Sequence, residues 1–198
     1  HIDLKTGRPV RTDLLDRAMK GEQVLLTPSR GTNATLIAFN PNNNLVYANT
    51  WNFPRTFKYT DAKFVLGGDY TAMQSSMGVP KGEAAGYHEA IDPVTGKVVW
   101  KTPMMEMPSS AGMLATAGGL LFTGELTGEF IALDQDTGKK IWQFKTGSSV
   151  NAPPITFTHK GKQYVAVLSG RGGSNAGRFV TNSVPAGGAV WLFTLKDD

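Results

Sequence analysis

The chain has 198 residues, 40% of them hydrophobic and 18% charged, with a formal net charge of +4. That length suits one domain with a real core, and its 23 glycines and 11 prolines favour short strands and tight turns over long helices. The basic residues are scattered rather than blocked or interleaved with aromatics, which argues against nucleic acid. With no cysteine there is no thiol catalysis, Cys-ligated zinc or disulfide, and no apolar run approaches the roughly 20 residues of a membrane span.

The chain opens with IDLKTGRPVR (2–11), a turn built on Asp3, Thr6 and Gly7. It reads as the middle of a structural unit, so a processed or partial polypeptide is expected. RTDLLDRAMKG (11–21) predicts a short helix, capped by Thr12 or Asp13 and stopped by Gly21. TLIAF and LVYAN then flank NPNNN as a hairpin. Residues 53–86, rich in Met, Gly and Ser, are expected to form a long loop or lid. Further on, LLFTG and EFIALD flank ELTG, ITFTH and QYVAVL flank KGK, and GGAVWLFTL is a strong apolar strand.

Two strings in this series are near copies: AIDPVTGKVVW (90–100) and ALDQDTGKKIW (132–142). Their glycines, Gly96 and Gly138, lie 42 residues apart, and Gly7 lies 89 before Gly96, about two periods. A strand-turn-strand repeat in the low forties indicates propeller blades of four short strands. In each turn the aspartate (Asp92, Asp134) accepts N–H groups two or three residues on, the threonine adds a hydroxyl, and the glycine takes a positive φ. The lysines that follow guard an exposed edge. Trp100 and Trp142 are expected to be buried as wedges between blades.

No catalytic or metal-binding constellation is visible. Asp3, Asp92 and Asp134 are turn residues, and His1, His88 and His159 are dispersed without metal-ligand spacing. GRGGS (170–174) follows a strand with no helix after it, unlike a phosphate loop.

The repeated strings resemble the tryptophan-docking motif of quinoprotein alcohol dehydrogenases, Ala-x-Asp-x-x-Thr-Gly-x-x-x-Trp. TPSRGTN (27–33), AFNPNNNLVYANTWN, LATAGGLLFTGELTGEFIALD, HKGKQYVAVLSGRGG and GGAVWLFTL resemble the same family in order. The resemblance implies an all-β fold, an eight-bladed β-propeller that binds pyrroloquinoline quinone (PQQ) with calcium or a lanthanide. Residues 1–198 would be one partial propeller domain, the C-terminal blades and closing strand, about four blades of the ring.

In that family the metal ligands and the catalytic aspartate come from more N-terminal blades, so none is assigned here. Three residues are expected at the cofactor, converging on the propeller axis. Asn33 falls where the family uses an Asn side chain to hydrogen-bond the quinone. Ser110 falls where many members place a tryptophan against the quinone ring, and Ala34 where an aromatic follows the Asn. Arg171 replaces an apolar or aromatic residue and could pair with a cofactor carboxylate. The implied partners are the N-terminal half of the propeller or a complementing chain, a small alcohol, and a periplasmic cytochrome c or similar acceptor. The alternative is a non-catalytic propeller with the same repeats serving as a scaffold, like the outer-membrane assembly lipoproteins; the serine at 110 favours it.

Overall fold

The computed structural model describes residues 2–32, 35–68, 70–106, 108–172 and 184–195. In chain order they form α1 (Leu14–Met19), β1 (Val24–Gly31), β2 (Ala38–Asn40), β3 (Leu45–Tyr59), β4 (Met73–Met77), β5 (Gly86–Ile91), β6 (Val98–Pro103), β7 (Leu114–Ala115), β8 (Leu120–Gly124), β9 (Glu129–Asp134), β10 (Lys140–Lys145), β11 (Ile155–His159), β12 (Lys162–Gly170) and β13 (Gly188–Phe193). They divide into two compact units, His1–Ser29 with Phe53–Gly78, and Arg30–Asn52 with Val79–Asp198.

In the first unit the opening turn forms as the sequence implies. Ile2 bridges Pro9, Asp3 Oδ1 accepts the Lys5 N–H at 2.8 Å, and Gly7 has φ 67°. The helix also forms, with Asp13 at its N-cap position, but no side-chain capping bond is made. Arg17 instead ties it to Glu22, Nε to Oε2 at 2.8 Å. Residues 53–86 are not simply a loop. The second half of β3 pairs antiparallel with β4, from Arg55 opposite Met77 to Tyr59 opposite Met73. Thr56 and Ser76 join their hydroxyls across the pair at 2.5 Å. The stretch FPRTFKY is β-branched and aromatic at enough positions to sustain an extended, paired strand.

The second unit carries the repeat. The first half of β3 pairs with β2 and with β5, and β5 pairs with β6. A four-stranded sheet follows in the order β10-β9-β8-β7, then a three-stranded sheet β11-β12-β13. The pairings within these two sheets are all antiparallel, between strands consecutive in the chain. Two apolar clusters fill the spaces between sheets. One contains Tyr47, Ala90, Met113, Leu121, Ile131 and Leu133; the other contains Phe130, Val150, Val165 and Val167.

The Asp-x-x-Thr-Gly turns connect β5 to β6 and β9 to β10. Asp92 Oδ1 accepts the Val94 N–H at 2.8 Å and its Oδ2 accepts the Thr95 hydroxyl at 2.7 Å. Asp134 Oδ1 accepts the Thr137 N–H at 2.9 Å and its hydroxyl at 2.7 Å. Both glycines have φ 69°. These bonds hold both half-buried aspartates below the usual carboxylate range, the threonine hydroxyl contributing most.

The two tryptophans differ. Trp100 packs on Tyr47, and its Nε1–H donates to the Gln135 carbonyl of the next sheet's turn at 2.9 Å. Gln135 is itself buried, and its Nε2 donates to the Thr116 and Leu120 carbonyls, each at 2.8 Å. Trp142 meets Phe130 and Phe193 edge to face but stays 39% exposed, against the expectation of burial. It lines an open apolar cleft of about 700 Å³ between the second and third sheets, with Ile141, Phe122 and Val165. The third sheet thus covers only part of the indole.

Candidate functional site

Strand direction puts the repeated turns at one end of the second unit and a different set of loops at the other. Trp51 and Gly86 are paired at that second end, as are Tyr87 with Pro103, Gly124 with Phe130, Lys145 with Glu129, and Gly170 with Gly188. Loops from all three sheets interlock there through backbone bonds. The Val150 N–H donates to the Glu125 carbonyl at 3.0 Å, and the Gly170 N–H to the Ser149 carbonyl at 2.7 Å. The approach is close: a Cβ on Gly124 would lie 2.2 Å from Val150 Cγ1.

A buried polar network lies among these loops. His88 and Asn49 face each other across β5 and β3, Nδ1 to Oδ1 at 2.6 Å. His88 Nε2 reaches Glu125 Oε1, in the turn after β8, at 2.9 Å. The Asn49 amide Nδ2 donates to the Ala111 carbonyl at 2.6 Å and to Thr123 Oγ1 at 3.0 Å. The Thr123 hydroxyl in turn donates a hydrogen bond to the Gly112 carbonyl at 3.2 Å. All four side chains are almost fully removed from solvent. Four polar groups buried together persist only because each is paired.

The network holds the connection between β6 and β7. Ser109 is fully buried; its carbonyl accepts the Trp51 indole N–H at 3.2 Å, and its N–H points to Met104 Sδ at 3.1 Å. Its hydroxyl accepts the Ala111 N–H at 3.0 Å. Ser110 therefore sits, half-buried, between two anchored residues. Arg171, also half-buried, immediately follows β12. Beside it is a hollow lined by Asn151, Ser169, Gly170 and Gly172, among others. The Asn151 Nδ2 donates to the Gly172 carbonyl at 3.2 Å, while its buried Oδ1 has no hydrogen-bond partner among the described residues. Asn33 and Ala34 lie outside the described residues. Ser110 and Arg171 thus belong to the same loop end.

At the rim of this end Lys145 Nζ donates to Glu129 Oε1 at 2.5 Å, and Thr127 Oγ1 donates to Glu129 Oε2. Burial pushes the Glu129 carboxyl up, but the bonds from Lys145 and Thr127 outweigh it and hold the group below its usual range. Burial pushes Glu89, on β5, above it. Among the described residues no group of three or more His, Asp or Glu side chains gathers at metal-binding distance.

Comparison with known proteins gives this geometry a family. Residues 69–165 match the family model of the glucose/ethanol/alcohol dehydrogenase PQQ β-propeller domain. The quinoprotein ethanol dehydrogenase of Pseudomonas aeruginosa is 36% identical over 98% of this chain and 33% of its own length. The chain belongs to the PQQ-dependent quinoprotein alcohol dehydrogenase family. A europium-containing methanol dehydrogenase superposes with a TM-score of 0.82 at 29% identity, over 98% of this chain and 38% of that one. A quinohemoprotein alcohol dehydrogenase from Comamonas testosteroni gives 0.80 at 27% identity, over 98% and 30%. The fold is a β-propeller portion, as the repeat implied, and the chain spans about a third of the length of the curated relatives it matches.

Sequence reasoning missed Asn49, His88 and Glu125, treating His88 as one dispersed histidine. A signal was present. In GYHEAI the buried face alternates through Gly86, His88 and Ala90, so a histidine stands where period two requires an apolar residue.

Proposed function

We propose that this chain forms the C-terminal blades of a PQQ-dependent alcohol dehydrogenase. The observation that carries the reading is the similarity to quinoprotein alcohol dehydrogenases along 98% of the chain. When bound, PQQ supplies an ortho-quinone that takes two electrons from the alcohol. The chemistry of the loop end suits that group. A flat heterocycle bearing carboxylates and a ring N–H needs cations, donors and one acceptor. Arg171 offers a guanidinium for a carboxylate, and the Asn151 Oδ1, without a hydrogen-bond partner among the described residues, offers an acceptor. Ser110 offers a hydroxyl on a small side chain; Asn33, outside the described residues, is assigned an amide contact from the family resemblance alone.

In this reading the chain's residues bind and orient the cofactor and wall it from water. The metal, calcium or a lanthanide, and the aspartate base belong to blades outside this chain. A small alcohol is the substrate, electrons leave to a cytochrome c or similar acceptor, and the protein works in the periplasm.

Adding PQQ with calcium or a lanthanide to the purified protein tests the reading. Near-ultraviolet absorption of bound quinone should appear and saturate, and Asn33→Ala or Arg171→Ala should weaken binding about tenfold. A protein that takes up no quinone would support the scaffold reading, which the serine at 110 favours. Cell fractionation and reduction of added cytochrome c test the compartment and the acceptor.

A further inference from the structure

The His88 contacts fix where its protons must be. The Ala111 carbonyl can only accept, and the Thr123 hydroxyl proton is engaged by the Gly112 carbonyl. Asn49 must therefore turn its NH₂ toward these two and its oxygen toward His88. An amide oxygen only accepts, so His88 Nδ1 carries a proton. At the other ring nitrogen, 2.9 Å from Glu125 Oε1, one further proton has to lie between the two atoms. An unprotonated nitrogen would otherwise face a bare carboxylate in a buried site. Both arrangements, imidazolium with carboxylate or imidazole with carboxylic acid, leave the pair with no net charge, and both aim Nδ1–H at Asn49.

We infer that His88 is a positioning residue for the cofactor face: through Nδ1–H it sets the Asn49 amide, and through Asn49 it sets the backbone of residues 109–111, which carries Ser110. Three chain segments that are distant in sequence are thereby locked to one another. Trp51, on the same strand as Asn49, takes the Ser109 carbonyl, so the segment is held on both sides of Ser110. The inference rests on the dehydrogenase reading for what Ser110 faces, and on the hydrogen-bond network alone for what His88 does.

The test uses the protein with ¹⁵N-labelled histidine and two readouts. In the first, ring ¹⁵N resonances, with His88 assigned by its loss in H88Q, should show Nδ1 protonated at neutral pH; a bare Nδ1 would overturn the inference. In the second, PQQ affinity is titrated by near-ultraviolet absorbance. H88F should weaken it tenfold or more, through the unpaired Asn49 oxygen and Glu125. The double variant H88Q/E125Q keeps every donor pointing the same way, from the amide at 125 through the amide at 88 to Asn49, and should come within about threefold of the unaltered protein. A90G, on the same buried strand face, should lower Tm without changing affinity, which separates positioning from loss of stability. If H88F fails to fold, E125Q carries the test. Its amide can donate to Nε2 and leave Nδ1–H on Asn49, so affinity should be retained, and a tenfold loss would overturn the role. Unchanged affinity in H88F would overturn positioning alone. No quinone uptake by the unaltered protein would overturn the dehydrogenase reading and, with it, the cofactor half of this inference, while the ring resonances still decide the geometry.

Discussion

The indole of Trp100 lies against Gly138 so closely that a Cβ built on that glycine would sit 2.4 Å from the ring carbon Cε3. The glycine therefore serves twice, as the positive-φ residue of its own turn and as a flat seat for the tryptophan of the preceding sheet. Gly96 has the same φ of 69°, but a Cβ placed there would meet nothing within 4 Å. Gly96→Ala should cost only the backbone strain, about 1 kcal/mol. Gly138→Ala adds overpacking of about 1–3 kcal/mol. Urea midpoints of the two variants measure the difference, and equal losses would contradict the seat.

The tryptophans should separate in the same assay. Trp100 loses both its packing on Tyr47 and a part-buried hydrogen bond when truncated, so Trp100→Ala should cost about 3–5 kcal/mol. Trp142 is 39% exposed beside an open cleft, so its truncation should cost roughly half as much. A larger loss at Trp142 would mean that the cleft is closed in solution.

Acid should weaken the fold through Glu129. Its carboxyl is held below the ordinary value by Lys145 and Thr127 against the opposing effect of burial. The stabilisation is complete above the unfolded value of about 4.3 and is lost as pH falls through the lower folded value. Asp92 and Asp134 contribute with the same sign. Glu89, raised by burial, acts oppositely: its ionisation is a penalty that acid relieves. Glu129→Gln should therefore flatten the fall in stability below about pH 4. An unchanged pH profile would show that the Lys145 contact is not formed in solution.

Asn49 offers a near-isosteric test of the buried network. Asn49→Asp replaces the NH₂ that faces the Ala111 carbonyl and Thr123 with an oxygen, leaving acceptors opposed in a dry site. The expected cost is at least about 1–3 kcal/mol. Thermal unfolding measures it, and a neutral substitution would mean that the segment 109–111 is held by Trp51 alone.

The turns were legible in the sequence because everything they need is local. Asp134, Thr137 and Gly138 find one another within five residues, and each residue type has one evident reason for its place. The hairpins from Leu120 to Asp134 and from Ile155 to Gly170 were legible for the same reason. The arm formed by the end of β3 and β4 was not, because Pro54 and the polar run MQSSM disguise two strands that stabilise each other only once paired. The network at His88 was hidden by distance. Asn49 and Glu125 lie 39 and 37 residues away, and only the register of β3 on β5 and the return of β8 bring them together. The expectation that Asn33 meets the cofactor rests on family likeness rather than local chemistry, so its test is quinone binding.

The opposition between the two ends of the strands bears on how such a molecule can change over generations. At one end each turn is a self-contained module whose aspartate, threonine and glycine answer to one another, and at Gly138 also to the indole seated on it. At the other, the described loops carry bonds between unlike partners, such as His88 and Glu125. Drift at the first end meets the same backbone constraint in both turns, with the seated indole added at Gly138. Novelty can accumulate at the second, one connection at a time, without disturbing the register of any strand.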